Sequence, residues 1–147
     1  MRFFSLFLIL IFAGFSKGNA QNEFTVQSDE EHYAFIIPGN VVDLKEYRGS
    51  VTKYIWKNHA KDRLKINNIQ IGDSKKVEII HVTTFKNKAH AMSFFNKTMK
   101  DYPDFMHMNM TEMFVVLSKS NYEEIIRKQT IGNYRAFFEE NYSNKKS

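Results

Sequence analysis

No cysteine occurs anywhere in the chain. Disulfides, thiolate metal sites and cysteine nucleophiles are thereby excluded. The same absence removes the thiol through which a bacterial lipoprotein takes its lipid. Glycine is scarce at six residues and proline scarcer at two, which leaves little backbone for phosphate-cradling loops. No Gly-x-Ser-x-Gly or His-Glu-x-x-His pattern is present either. Long apolar runs are also lacking. The longest, Phe3 to Phe15, falls short of the roughly 20 apolar residues that span a bilayer. There is no solenoid-type repeat and no low-complexity segment.

That single apolar run carries information of its own. It follows the basic start Met1-Arg2 and precedes Ser16-Lys17-Gly18-Asn19-Ala20, with small residues where a signal peptidase reads. This is the layout of a secretory signal occupying residues 1–20, with cleavage expected after Ala20. The mature chain is then expected to start near Gln21 and to be periplasmic or secreted, not lipid-anchored, with no membrane span. About 127 residues would remain, enough for one domain. They carry 19 basic and 16 acidic residues, a mild net charge of +3. Lys53, Lys57, Lys61, Arg63 and Lys65 form one basic stretch interrupted by Asp62. It reads as a solvated helix face rather than a nucleic-acid surface, which needs clustered cations with aromatics set to stack. Without disulfides the core has to supply the stability, and the aromatics suit that task. Phe35, Tyr54, Trp56, Phe85, Phe94, Phe95, Phe105, Phe114, Phe137 and Phe138 fall mostly in periodic segments.

The elements follow from period and punctuation. Residues 21–31 are polar and acidic and read as a flexible lead-in. His32 to Ile37 is a short apolar run closed by Pro38-Gly39, a strand signal. Asp43 with Glu46 three residues on has capping-box spacing. Leu44, Tyr47, Val51, Tyr54 and Ile55 then keep helical spacing, which predicts a helix over 43–60. Leu64 to Ile71 reads as a strand with an irregularity at Asn67-Asn68, and Gly72-Asp73-Ser74 as a hairpin turn. Val77 to Phe85 is the returning strand, with Val77, Ile79, His81 and Thr83 on one face. Asn87 caps a helix that ends near Asp101, ahead of Pro103. Met113 to Leu117 is a buried-type strand. Asn121 to Lys128 and Ile131 to Tyr142 are short helices, and residues 143–147 a disordered tail. This order predicts an α+β domain over 32–142, a ferredoxin-like βαββαβ two-layer sandwich with additional C-terminal helices.

Four runs carry a family resemblance: His32 to Pro38, Ile79 to Asn96, Met113 to Tyr122 and Tyr134 to Tyr142. Within them a strand ends in Phe85 and is followed by Asn87-Lys88 and a helix. The last strand leads into Ser118-Lys119-Ser120-Asn121-Tyr122, and Phe137-Phe138-Glu139-Glu140-Asn141-Tyr142 closes the domain. This pattern resembles the C-terminal domain of tetratricopeptide-repeat lipoproteins of Bacteroidetes associated with gliding motility and type IX secretion. The resemblance implies a non-catalytic protein-interaction module of the cell envelope with an envelope protein as partner. The chain has neither the repeat array nor the lipidation cysteine of that family. Val82 through Phe95 is also similar to sporulation-related-repeat (SPOR) domains, which implies peptidoglycan glycan strands as the alternative ligand.

Three constellations remain. Met106, His107, Met108 and Met110 bring soft thioethers and an imidazole together, the donor set of an extracytoplasmic Cu(I) carrier. The plainer reading is a Met-rich loop filling core gaps. The five histidines, His32, His59, His81, His90 and His107, have no helical ligand spacing and read as structural. Asp29-Glu30-Glu31, Glu123-Glu124 and Glu139-Glu140 are neighbours whose side chains diverge, so they do not form a shared acid/base site. No catalytic residue, cofactor or firm metal site is expected, and no nucleic-acid partner.

Overall fold

The computed structural model describes residues 23–40, 42–107 and 109–143. The expected signal segment lies outside the described residues, as does Met108. The elements run β1 (His32–Pro38), α1 (Leu44–Asn58), β2 (Lys65–Ile71), β3 (Val77–Phe85), α2 (Lys88–Asp101), β4 (Thr111–Ser118), α3 (Lys119–Lys128) and α4 (Tyr134–Asn141). Short 3-10 turns occupy Ala60–Asp62 and Asp104–Met106. The four strands form one antiparallel sheet in the order β2-β3-β1-β4. The fold class is therefore α+β. The strands joined through α1 are separated by β3, and those joined through α2 are separated by β1.

Local chemistry sets the helix boundaries. Asp43 accepts a hydrogen bond at 2.9 Å from the backbone N–H of Glu46, satisfying one of the free donors at the start of α1. Asn87 does the same for His90 at 3.0 Å in α2. Tyr102 ends α2 in the left-handed region at φ 45°, just before Pro103, which cannot continue a helix. Gln129 ends α3 in the same way at φ 53°.

The register assigns the two sheet faces. Ala34 and Ile36 share one face with Val82, Ile80, Val116 and Phe114. That face meets α2, where the Phe114 ring lies 4.7 Å from Phe95 and 5.9 Å from Phe94. Helix α1 lies beside α2, and Tyr54 Oη donates to Asp101 at 2.8 Å. Tyr33, Phe35, His81, Val115 and Leu117 share the opposite face. Helix α3 meets that face through Tyr122, whose ring stacks on His81 at 4.8 Å. Helix α4 packs against β4, an edge strand. Tyr134 Oη donates to the Val116 carbonyl at 2.8 Å, which occupies an acceptor of the kind that edge strands otherwise leave open. Helix packing thus extends to both faces of the sheet, and β2 is left as the bare edge.

Three expectations need correction. The lead-in is not loose from Glu23 onward. Phe24 is buried against Tyr134 at 4.9 Å and Phe137 at 5.7 Å. The Thr25 backbone N–H donates to the Asn121 side chain at 3.1 Å, and the Asn121 amide donates back to the Thr25 carbonyl at 2.8 Å. Strand β2 pairs with β3 without interruption across Asn67 and Asn68. The register shifts fall instead in β1, between His32 and Ala34 against β3 and between Ile37 and Pro38 against β4. Trp56, expected among the core aromatics, is 69 % exposed.

Candidate functional site

Helix α1 buries Tyr47, Val51, Tyr54 and Ile55. At 100° per residue these four side chains occupy one side of the helix, and Trp56 falls near the centre of the opposite side. Gly49 and Thr52 precede it along the same line. The three form the floor and end wall of a shallow trough, with Lys45 at its far end, Arg48 on one bank and Lys53 and Lys57 on the other. Long helical side chains lean toward the N-terminus, so the indole closes the trough over the preceding turn. The glycine is not demanded by packing: a Cβ added at Gly49 meets no atom within 4 Å.

Electrostatics single out the same face. Seven cations and two carboxylates lie between Leu44 and Lys65. The rest of the described chain holds ten cations and fourteen carboxylates. Charge along the chain is therefore uneven, and α1 itself carries four cations, Lys45, Arg48, Lys53 and Lys57, against one carboxylate, Glu46. Among the described residues none of the seven forms an ion pair. The pairs that do form join Lys97 to Asp101, Arg127 to Glu124, and Lys128 to Glu23 and Glu124. An exposed indole ringed by unneutralised cations has an apolar plate and a field to offer an anionic partner.

A second concavity, about 360 Å³, lies between the end of α1, the end of β3 and the start of α2. It is lined by His59, Asp62, His90 and Ser93 among others. His59 Nδ1 is 3.0 Å from Asp62 Oδ2, while its Nε2 is buried with no partner. The His59 ring lies edge-on to Phe94 at 4.9 Å. No hydrogen bond joins His59 to Ser93 among the described residues.

The other sequence candidates fall as follows. Met106 closes a 3-10 turn, and both it and Met110 pack against the core. His107 Nε2 is 2.7 Å from the Tyr102 carbonyl, and its ring stacks on Tyr102 at 4.5 Å. His81 lies among Tyr33, Phe35 and Tyr122, away from His90, with its Nε2 buried and unpartnered. Burial pushes its pKa down to about 4. His32 is buried with Nδ1 at 2.8 Å from the Glu30 carbonyl, and desolvation lowers its pKa too. Glu30 is not an acid/base candidate. It accepts from Ser120 Oγ at 2.6 Å, and although partial burial raises its pKa, the hydrogen bonds from Ser120 and Ser118 bring it below the ordinary range. Glu124 is committed to Arg127 and Lys128.

What the sequence reading missed is Trp56. The signal was available in the spacing, since Trp56 stands off the stripe of Tyr47, Val51, Tyr54 and Ile55. Its aromatic character argued for the core and its position argued against it. In comparisons with protein-family models, with curated proteins and with solved structures, nothing matches this chain.

Proposed function

We propose that this protein is an exported, non-catalytic interaction module of the bacterial cell envelope, linked to type IX secretion or gliding, and that it binds an envelope protein through the outer face of α1. The proposal places the chain in the periplasm or outside the cell after cleavage near Ala20. It also takes the sheet as ferredoxin-like. The strand order β2-β3-β1-β4 supports this, because each helix-linked strand pair is split by a third strand.

One observation carries the functional reading: Trp56 is 69 % exposed at the centre of a helix face whose cations have no partners within the described chain. A large exposed indole is the side chain most enriched at interface hot spots. Unneutralised cations around it steer an anionic partner and suppress wrong ones. No described helix is long and apolar enough to cross a membrane.

The test is photo-crosslinking in intact cells. A benzophenone amino acid at position 56 is expected to give one discrete envelope adduct. The same probe at Lys97, on α2, is expected to give none. Equal adducts from both positions, or none from position 56, would reject the α1 face. Co-sedimentation of the purified chain with peptidoglycan sacculi, with no protein adduct, would favour the glycan ligand instead.

A further inference from the structure

The docking face has a finer pattern than a basic patch. Lys45, Gly49, Thr52 and Trp56 stand at i, i+4, i+7 and i+11 along α1, the alternating three- and four-residue spacing of a helix-to-helix seam. Along that seam Gly49 and Thr52 are small and Trp56 is large, a hole followed by a knob. Arg48 and Lys53 take two of the four positions beside the seam, where paired helices place their interhelical charges, with Glu46 and the buried Ile55 at the other two. From Lys45 to Trp56 the seam runs about 17 Å along α1.

Gly49 makes the pattern informative. Glycine inside a helix costs stability relative to alanine. At Gly49 the fold gains nothing in exchange, because no described atom approaches the space a Cβ would fill. A glycine on an exposed helix face lets a second backbone come close, as small residues do wherever helices meet tightly.

We infer that the occupant of the α1 face is an amphipathic helix with acidic flanks, seated with a large apolar side chain over Gly49 and its carboxylates opposite Arg48 and Lys53. This rests on the reading of α1 as the docking face. The charge excess calls for an anionic partner. The heptad spacing and the hole at Gly49 favour a helix over an extended acidic tail, which would not need the backbone to approach. A lipid surface suits the face less well. Trp56 is the sole large apolar group in the trough, and interfacial helices hold by apolar area.

Trp56 is the only tryptophan in the chain, so intrinsic fluorescence reports on this surface directly. The probe is a synthetic peptide of about three heptads, with Leu on its seam and Glu at its flanking positions. A scrambled peptide of the same composition serves as reference. Wild type is expected to give a saturable shift of Trp56 emission with the heptad peptide and at least about a tenfold weaker response with the scrambled one. Gly49→Leu fills the hole and is expected to weaken heptad-peptide binding about tenfold or more. Gly49→Ala, which melts no lower than wild type, is expected to weaken binding to a smaller degree and so separates the effect from unfolding. The pair Arg48→Glu and Lys53→Glu is expected to lose the Glu-flanked peptide and gain its Lys-flanked counterpart. Equal binding of heptad and scrambled peptides overturns the helix inference, as does unchanged affinity in Gly49→Leu. An emission shift with anionic phosphatidylglycerol vesicles but with neither peptide overturns it too. In each of these cases crosslinks from position 56 would persist if the docking face itself is right. Their loss would instead bring down the broader reading.

Discussion

His81 shows how a single buried ring couples stability to pH. Its Nε2 has no hydrogen-bond partner, and Tyr33, Phe35 and Tyr122 surround it with aromatic carbon. Burial holds its pKa at about 4, against 6.5 for the free side chain. The unfolded chain therefore binds the proton first. The contribution is complete above the unfolded value and is lost as pH falls from 6.5 through 4. Linkage puts the loss at about 2 kcal/mol between pH 7 and pH 5. Chemical denaturation across that interval is expected to show the decline, and His81→Phe is expected to flatten it. A part of the slope remains for His32, which is shifted in the same direction. An identical slope in His81→Phe would mean that His81 is not the group being protonated. Two glycines make a second test at this scale. A Cβ at Gly39 would lie 2.3 Å from the Asn109 carbonyl oxygen, and the Gly39 N–H already donates to Met110 at 2.8 Å. Gly39→Ala is expected to destabilise by about 1–3 kcal/mol. Gly49→Ala, with open space around it, is expected to stabilise by about 0.5–1 kcal/mol. Thermal melts of the two variants should move in opposite directions.

Among the elements, the segment before β1 is the least expected. It lacks periodicity, and Glu23, Asp29, Glu30 and Glu31 give it the composition of a free tail. Yet Phe24 fills the gap between Tyr134 and Phe137, and Asn121 clamps Thr25 from both sides. Glu30 also holds Ser120 in the first turn of α3. The segment thereby bridges α3 and α4. Phe24→Ala is expected to cost about 3 kcal/mol. It is also expected to raise hydrogen exchange in α3 and α4 ahead of the sheet. Uniform exchange throughout the chain would show that the segment is not a separate clasp. The contrast with β1 and β3 explains what a sequence can yield. The strands and helices were legible because their apolar spacing and caps are local: Asp43 and Asn87 start their helices as their spacing predicts, and β3 spans Val77–Phe85 as its alternation requires. The clasp was not legible, because a lone Phe24 and a Thr25–Asn121 link across 96 residues leave no periodic trace. Trp56 lies between these cases. Its angular position was readable, but the sequence alone did not show which side of α1 meets the sheet.

For the whole molecule the governing feature is the separation of charge. Lys45, Arg48, Lys53 and Lys57 stand without ion pairs on α1, whereas Lys97, Arg127 and Lys128 are tied to carboxylates. This permits a comparison in which net charge is held constant. Replacing the four α1 cations with Gln removes four charges and breaks no ion pair. Stability should stay within about 0.5 kcal/mol, or rise as like charges separate. Replacing Lys97, Lys119, Arg127 and Lys128 with Gln removes four charges as well, but it cuts the link from Glu23 to α3, the pairs of Glu124 within α3 and the Lys97–Asp101 pair within α2. These are surface pairs worth about 0.2–1 kcal/mol each, so this variant is expected to melt measurably lower. A field property should behave the other way. Retention on a sulfonated exchanger at low salt is expected to fall sharply for the α1 variant and little for the second, because a concentrated patch, not the sum of charges, sets adsorption. The difference should fade as ionic strength rises and the Debye length contracts to about 8 Å near 0.15 M. If both variants eluted together, charge would be spread evenly in its effect. Helix α1 would then have no claim to steer an acidic partner.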